Sequence, residues 1–365
     1  MTGVENPTGT AEPAPAREAE ARGGQGWAVV RRLVLSPAVL SVAGALALTT
    51  LVMVAVGVDP SLAYPALLRG ALMDGNFEYT LAAYVPTLGM AVAFAIPLRA
   101  GEFNLGGDGQ LSLGGIAAAA LALHAGGSYV VPLLGAALAG ALLAGLSAPL
   151  RTRLGIPAIV STLLLSAPAV SLASYLARFP LAEPGTGLAQ TPLLPEAARL
   201  PAFGAGSYVT IALPVVAVLT ALWLYADART VPGYEIRALG ANREFARYGG
   251  VRVDRLAAVT LAAGGAFAGL VGGLIVLGPP YRFVDGALTA PGYTFTAIAA
   301  VLLAAGRPPA VPWAVALLTI LQAGGQGMER EAGVPSQLTQ IVQGLIIVIV
   351  AVGAVVRSRS AGRRG

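Results

Sequence analysis

The stretch "RAGEFNLGGDGQLSLGG", residues 99–115, places six glycines, an asparagine, an aspartate and a glutamine between two long apolar runs. Two readings compete for it. Glycine-rich turns cradle phosphate in nucleotide-binding enzymes, whereas in a membrane a polar, glycine-rich break marks a helix that starts or stops where protein or water satisfies its backbone. The first reading fails on the residues themselves. A Walker A loop needs a lysine after its glycines, and the chain has no lysine. A dinucleotide fingerprint fails too: in "GDGQLS" Gly107 and Gly109 are followed by Ser112 where the third glycine should stand, and the preceding "MAVAFAIPL" ends an apolar run rather than a strand.

Composition points to lipid as the solvent. With a mean hydropathy of +0.74 and 11% charged residues, 365 residues carry too little polar surface to coat a soluble globule. All 23 basic side chains are arginine, cysteine is absent, and His124 is the single histidine. Schiff-base chemistry, thiolate metal sites and disulfides are therefore excluded, and no set of nucleophile, base and orienting group can be assembled for a membrane enzyme. His124, at the end of an apolar run, reads as an interfacial side chain, and neither a metal site nor a catalytic site is expected.

Runs long enough to cross about 30 Å of hydrocarbon number ten, near 38–57, 80–98, 105–125, 129–150, 157–176, 208–226, 256–278, 288–306, 310–325 and 338–356. With the N-terminus in the cytoplasm, eighteen arginines fall inside and only Arg69, Arg178, Arg199, Arg282 and Arg330 fall outside. This positive-inside bias puts both termini in the cytoplasm. It also explains the net charge of +5 without nucleic acid. The fold class predicted is thus an all-α polytopic membrane protein of about ten transmembrane helices. Residues 1–26, rich in Ala, Pro, Glu and Gly, read as a disordered cytoplasmic tail. The transmembrane domain covers 27–356, with "VVRRLVLS" as a topogenic anchor and Trp27 at the interface, and 357–365 form a basic cytoplasmic tail. The longest exterior loop, 177–207, is proline-rich and reads as a linker rather than a cap.

Close helix packing in lipid relies on small residues. Gly265, Gly269 and Gly273 recur at four-residue spacing, and Ala136, Gly140 and Ala144 repeat the device, so both sets are read as packing faces. Asn104, Asp108 and Gln110 differ. Asp108 either faces a protein-lined or water-lined interior or sits at the cytoplasmic edge fixing a tight turn, and its nearness to Arg99 favours the edge. Gln322 with Gln326, and Gln337 with Gln340, share helical faces and either line an outward vestibule or bond between helices. Ser161, Thr162 and Ser166 add a hydroxyl stripe open to the same two readings. These ten polar residues are the candidate substrate path.

Between the sixth and seventh runs, the cytoplasmic loop 228–255 contains "RALGANREFARYGG". Asn242 caps a short helix opened by Arg243 and Glu244, and Gly249 stops it. Phe245 and Tyr248 share one face, with Arg243 and Arg247 on another, giving an aromatic wedge flanked by cations. Two turns are not stable alone in water, so this helix packs on its own protein, on anionic headgroups, or in a partner's groove.

These segments resemble the permease subunits of bacterial ABC importers for ribose, branched-chain amino acids and nucleosides. The likeness runs from about residue 80 to 355 and rests on "FNLGGDGQLSLGG", similar to the family's Phe-Asn-Ile-Gly-x-Glu-Gly-Gln pattern, on "RALGANREFARYGGV", on "AGLVGGLIVLG" and on "GVPSQLTQIVQGLIIVIVAV". The first motif is most like the nucleoside branch. The resemblance implies an importer fold of two related halves. It makes Gly240, Asn242, Arg243, Glu244, Phe245, Arg247, Tyr248 and Gly249 the coupling element that docks on a separate cytosolic ATPase. It implies ATP and Mg in that ATPase with no cofactor in this subunit, a second permease subunit (same or homologous), an extracellular substrate-binding lipoprotein, and bacterial cytoplasmic membrane. The chain departs from the family at Asp108, where glutamate is usual, and in the fifth span, where Pro157 and Ser166 stand near the places of an acid and an asparagine. The expected function is ATP-driven nucleoside import by alternating access. The alternatives are a ribose or other simple-sugar permease, and an ion-coupled secondary transporter, which would normally need buried carboxylates or histidine.

Overall fold

The computed structural model describes residues 59–333 except 74 and 205, together with scattered positions from 44 to 57 and residues 341 and 344. Both tails, about half of the first predicted span, nearly all of the tenth, Trp27, Gln337 and Gln340 lie outside the described residues.

Among the described residues the regular elements are helical: α1 (Pro60–Leu72), α2 (Asn76–Arg99), α3 (Gly107–His124), α4 (Val130–Gly145), α5 (Ser147–Leu154), α6 (Ala158–Arg178), α7 (Ala212–Arg229), α8 (Val231–Ala241), α9 (Arg243–Tyr248), α10 (Val253–Leu277), α11 (Tyr293–Leu303) and α12 (Val311–Ala332). Among the described residues five stretches are long and apolar enough to cross a membrane: α2, the nearly continuous Val130–Leu154, α6, α7 and α10. Burial sorts them. The apolar windows of α2 and α10 are 67% and 61% buried, against 22% and 17% for α6 and α7, so α2 and α10 form the centre and the other two present their sides to lipid.

The glycine spacing explains how α10 reaches the centre. A methyl on Gly265 would overlap the Gly140 carbonyl, one on Gly269 the Ala136 carbonyl, and one on Gly273 would lie 2.8 Å from the Ala136 Cβ. The two small-residue faces predicted from spacing therefore pack against each other, backbone on backbone. Gly114 of α3 meets Gly269 from a third direction, so three helices converge where none carries a side chain.

Three segments depart from the sequence reading. Helix α1 falls in a predicted loop, although Asp59 caps it, with the Ser61 amide donating to its carboxylate at 2.8 Å, and Pro60 opens it. It packs along α12, where Gly70 and Gly327 touch Cα to Cα and Arg69 pairs with Glu331 at 3.1 Å. The predicted span 288–306 shrinks to the eleven residues of α11, because the Ala290 and Gly292 amides close turns onto Gly286 and Thr289 and Gly292 takes φ 68°. The predicted span 310–325 lengthens to the 22 residues of α12.

The proline-rich loop is packed in place rather than a free linker. The amides of Thr191, Leu194 and Leu200 donate to the carbonyls of Phe283, Tyr281 and Leu277 at 2.8–2.9 Å, and Leu194 and Leu200 are buried. Arg178 and Ser174 hold Asp285, and Arg282 and Gln190 share Glu183. Proline prevents a long helix here, leaving one 3-10 turn at Glu196–Ala198, and amides on either side of it find partners across the chain instead.

Candidate functional site

Helix α2 ends at Arg99, and Gly101, at φ 77°, reverses the chain. Residues 102–106 then run back without helix until α3 begins at Gly107. How far back is fixed by the neighbour α11. Arg99 reaches the Gly306 carbonyl beyond the C-terminal end of α11 (3.3 Å), whereas Asp108 meets Thr294 near its N-terminal end. The nine residue steps from Thr294 to Leu303 span about 13 Å of helix. Asp108 therefore stands in the bundle interior, not at the cytoplasmic edge that its sequence distance from Arg99 favours.

Non-helical backbone inside a bundle must find its hydrogen bonds in protein. Here Asn104 Oδ1 accepts from the Gly106 amide (3.1 Å), Thr162 Oγ1 from the Leu105 amide (3.1 Å), and Ser166 Oγ from the Gly109 amide (2.9 Å). Asn104 and Gln110 also exchange a reciprocal pair of amide bonds at 2.8 and 2.9 Å. Gly109 is required by this closeness, since a Cβ there would lie 2.7 Å from the Ser166 Cα. The predicted residues Asn104, Gln110, Thr162 and Ser166 are thus brought together and buried around the start of α3. Ser161, also buried, bonds only its own helix, at the Ala158 carbonyl.

Three polar atoms remain open beside this frame. The Thr294 hydroxyl donates to Asp108 Oδ1 (2.5 Å), which leaves Oδ2 without a partner among the described residues. Gln322 Nε2 donates to the Pro291 carbonyl (2.7 Å), three residues before Thr294, while its Oε1 and the Thr319 hydroxyl one turn earlier are buried without partners among the described residues. Gln326, predicted alongside Gln322, is exposed. Thr294 and Thr319 escape the sequence reading because isolated threonines in apolar runs carry no signal.

A cavity of about 260 Å³ opens at the far end, between α2, α7, α10 and the start of α11, lined by Tyr79, Pro86, Tyr208, Thr210, Val271 and Tyr293. Tyr79 and Tyr208 lie ring to ring at 4.5 Å. Tyr293 in its wall directly precedes Thr294, the partner of Asp108. The tyrosines come from three separate segments, which is why no motif announces them.

At the basic end the short helix α9 forms as predicted, its Phe245 amide donating to Asn242 Oδ1 at 3.0 Å, with Gly249 closing it. Phe245 is 66% and Tyr248 90% exposed, on the side away from buried Ala246. Arg247 is exposed beside them, but Arg243 turns inward rather than flanking the wedge. Its NH1 donates to Glu102 (3.0 Å) and its NH2 to Asp254 (2.8 Å). Glu102, buried, also binds Arg151. A neighbouring link joins Gly240 to the α2–α3 turn, where a Cβ would overlap the Arg99 carbonyl.

Residues 76–351 match the family described as branched-chain amino acid transport system, permease component. The chain is 36% identical over 326 residues to the glucose ABC transporter permease protein TsgB13 of Haloferax volcanii, covering 85% of each. It is 31% identical over 349 residues to the guanosine ABC transporter permease protein NupP of Bacillus subtilis (90% of this chain, 97% of the relative). It is 26% identical over 335 residues to the nucleoside ABC transporter permease protein NupB of Lactococcus lactis subsp. cremoris (88% and 91%). No solved structure matches.

Proposed function

Because the chain belongs to the branched-chain amino acid transport system permease family, and is thus a multi-pass protein of the cell membrane, we propose that it is the translocating subunit of an ATP-driven nucleoside importer. The observation that carries this reading is the continuity between the exposed Phe245–Tyr248 face and the polar interior: Arg243 opens α9, Glu102 holds Arg243, and Glu102 begins the non-helical segment 102–106 that leads into the first turn of α3, where Asp108 stands. A push on α9 is delivered through an ion pair to the start of α3.

The full assembly proposed is ten helices in two related halves with both termini in the cytoplasm, a second permease subunit, a substrate-binding lipoprotein outside, and a cytosolic ATPase whose groove takes α9. That ATPase holds ATP and Mg and performs the hydrolysis. Substrate enters over the tyrosine-lined cavity, whose rings suit the face of a nucleobase. It then passes Asp108, Thr294, Thr319 and Gln322, whose open acceptors and hydroxyl match the donors and acceptors of a neutral polar solute. Asn104, Gln110, Ser161, Thr162 and Ser166 shape the path, and Gln326, Gln337 and Gln340 belong to its outer part. ATP binding draws the two ATPases together and turns this path from outward-facing to inward-facing.

Two of the three relatives named above are named for nucleosides, and the aromatic cavity supports the same choice; the relative named for glucose keeps a simple sugar as the second reading. Uptake of labelled adenosine, guanosine and ribose into vesicles carrying this subunit with its cognate ATPase separates them. Nucleoside uptake that stops with a hydrolysis-dead ATPase is expected. Uptake persisting without hydrolysis would sink the ATP-driven mechanism, and transport of ribose alone would overturn the choice of substrate.

A further inference from the structure

A second cavity, of about 310 Å³, opens at the basic end where α2, α7 and α8 meet the turn between α11 and α12, walled by Leu98, Trp223, Gly240 and Pro308 and by the side chains of Arg99 and Arg237. Its charge does not balance. Asp227, with a side chain only 10% exposed, takes both Arg99 Nε (2.9 Å) and Arg99 NH2 (3.1 Å), and the Gly306 carbonyl takes Arg99 NH1. Arg237 is left over. Its NH1 stands 3.8 Å from Asp227 Oδ2, too far for a hydrogen bond, and is buried with no acceptor among the described residues. Two guanidiniums against one carboxylate leave about one positive charge facing an open space, and a buried donor without an acceptor is costly unless one enters.

We infer that this cavity binds a phosphate group, carried by an anionic lipid of the adjacent leaflet or by a phosphate ester free in the cytosol. A guanidinium fork suits phosphate oxygens better than a point charge would, and basic pockets between helix ends on the cytoplasmic side are where headgroups bind. Trp223 at the wall gives an apolar surface for a base or for acyl carbons. The position makes the site regulatory. Arg237 lies on α8, which runs directly into Asn242 and α9, and Gly240 touches the Arg99 carbonyl. A phosphate bridging Arg237 and Arg99 would fasten α8 to the end of α2 and restrain the element proposed to couple transport to hydrolysis.

The inference borrows from the proposed function the placing of this face in the cytoplasm and the coupling role of α9 with its ATPase, and its test does not depend on what is transported. The full chain with its ATPase is melted in neutral detergent with added inorganic phosphate, adenosine 5′-monophosphate or chloride at matched ionic strength, and in nanodiscs of phosphatidylcholine with or without phosphatidylglycerol. At least one phosphate-bearing probe is expected to raise the melting midpoint saturably by about 2 °C or more beyond chloride. The Arg237→Gln variant is expected to lose that rise. If this variant does not assemble, Ala241→Leu, which fills the cavity wall and leaves both arginines in place, should weaken the response instead. A response to soluble phosphate or the monophosphate identifies a cytosolic ester, and a response to phosphatidylglycerol alone identifies a headgroup. No shift with any probe, or an unaltered shift in Arg237→Gln or in its Ala241→Leu substitute, would overturn the site.

Discussion

Arg243, the first residue of the short helix α9, donates to the buried carboxylate of Glu102, 141 positions earlier in the chain. Glu102 holds a second guanidinium, that of Arg151 at the end of the Val130–Leu154 stretch. One carboxylate thus fastens three segments at the end of the bundle where the chain turns back into it. Removing it leaves the Arg151 guanidinium without its counter-charge and Arg243 with Asp254 alone. Glu102→Gln should cost about 3 kcal/mol of stability and lower ATP-driven uptake at least tenfold. Arg243→Ala should add less on top than it costs alone, because its pair with Glu102 is already lost and only its exposed pair with Asp254 remains. Thermal melting and vesicle uptake on the single and double variants measure both, and additive losses would argue against a shared unit.

The convergence of α3, α4 and α10 gives a sharper stability test. Gly269→Ala would press a methyl into the Ala136 carbonyl and should destabilise by about 1–3 kcal/mol, as overpacking does. Gly145→Ala should be neutral or slightly favourable, since the nearest atom to a Cβ there is 4.0 Å away. Melting midpoints in detergent compare them directly, and equal behaviour would mean that the small-residue face is not a close contact.

These packing faces were legible in the sequence because four-residue spacing translates directly into a helical stripe. So was α9, whose cap and stop are local. Partners far apart in sequence were not. Nothing near Arg243 announces Glu102, so Arg243 reads as a free flanking cation. Asp108 reads as an edge residue because the sequence distance from Arg99 is short, whereas the chain covers that distance as non-helical backbone returning into the bundle. The 177–207 loop reads as a linker because its pairing is with residues 277–285, and α1 hid behind Pro65 despite its Asp59 cap and Pro60 start.

Asp108 offers a functional test of the polar interior. With Oδ1 occupied by Thr294 and Oδ2 open, Asp108→Ala should raise the KM for nucleoside about tenfold, the cost of one hydrogen bond to a charged group. Asp108→Asn, which keeps an acceptor for Thr294, should lose less. Thr162→Val, which strips the acceptor from the Leu105 amide, should act mainly on stability, by about 1–3 kcal/mol, with KM within about twofold. A KM effect at Thr162 as large as that at Asp108 would mean that the frame itself touches solute.

The aromatic face of α9 is the last element to test, and its exposure makes the test clean. Phe245 and Tyr248 contribute little to this chain's own core, so Phe245→Ala and Tyr248→Ala should leave the melting midpoint of the isolated subunit unchanged within about 0.5 kcal/mol. If the two rings are the wedge that enters the ATPase groove, each truncation should cost 1 kcal/mol or more of association, at least about a fivefold weakening, as buried aromatic anchors do. Arg247→Ala should weaken association less and mainly at low salt, because a rim charge acts through screened attraction. Co-purification of the ATPase with each variant, at two salt concentrations, reads all three. Full retention of the ATPase by the Phe245 and Tyr248 variants would move the docking surface off α9 altogether.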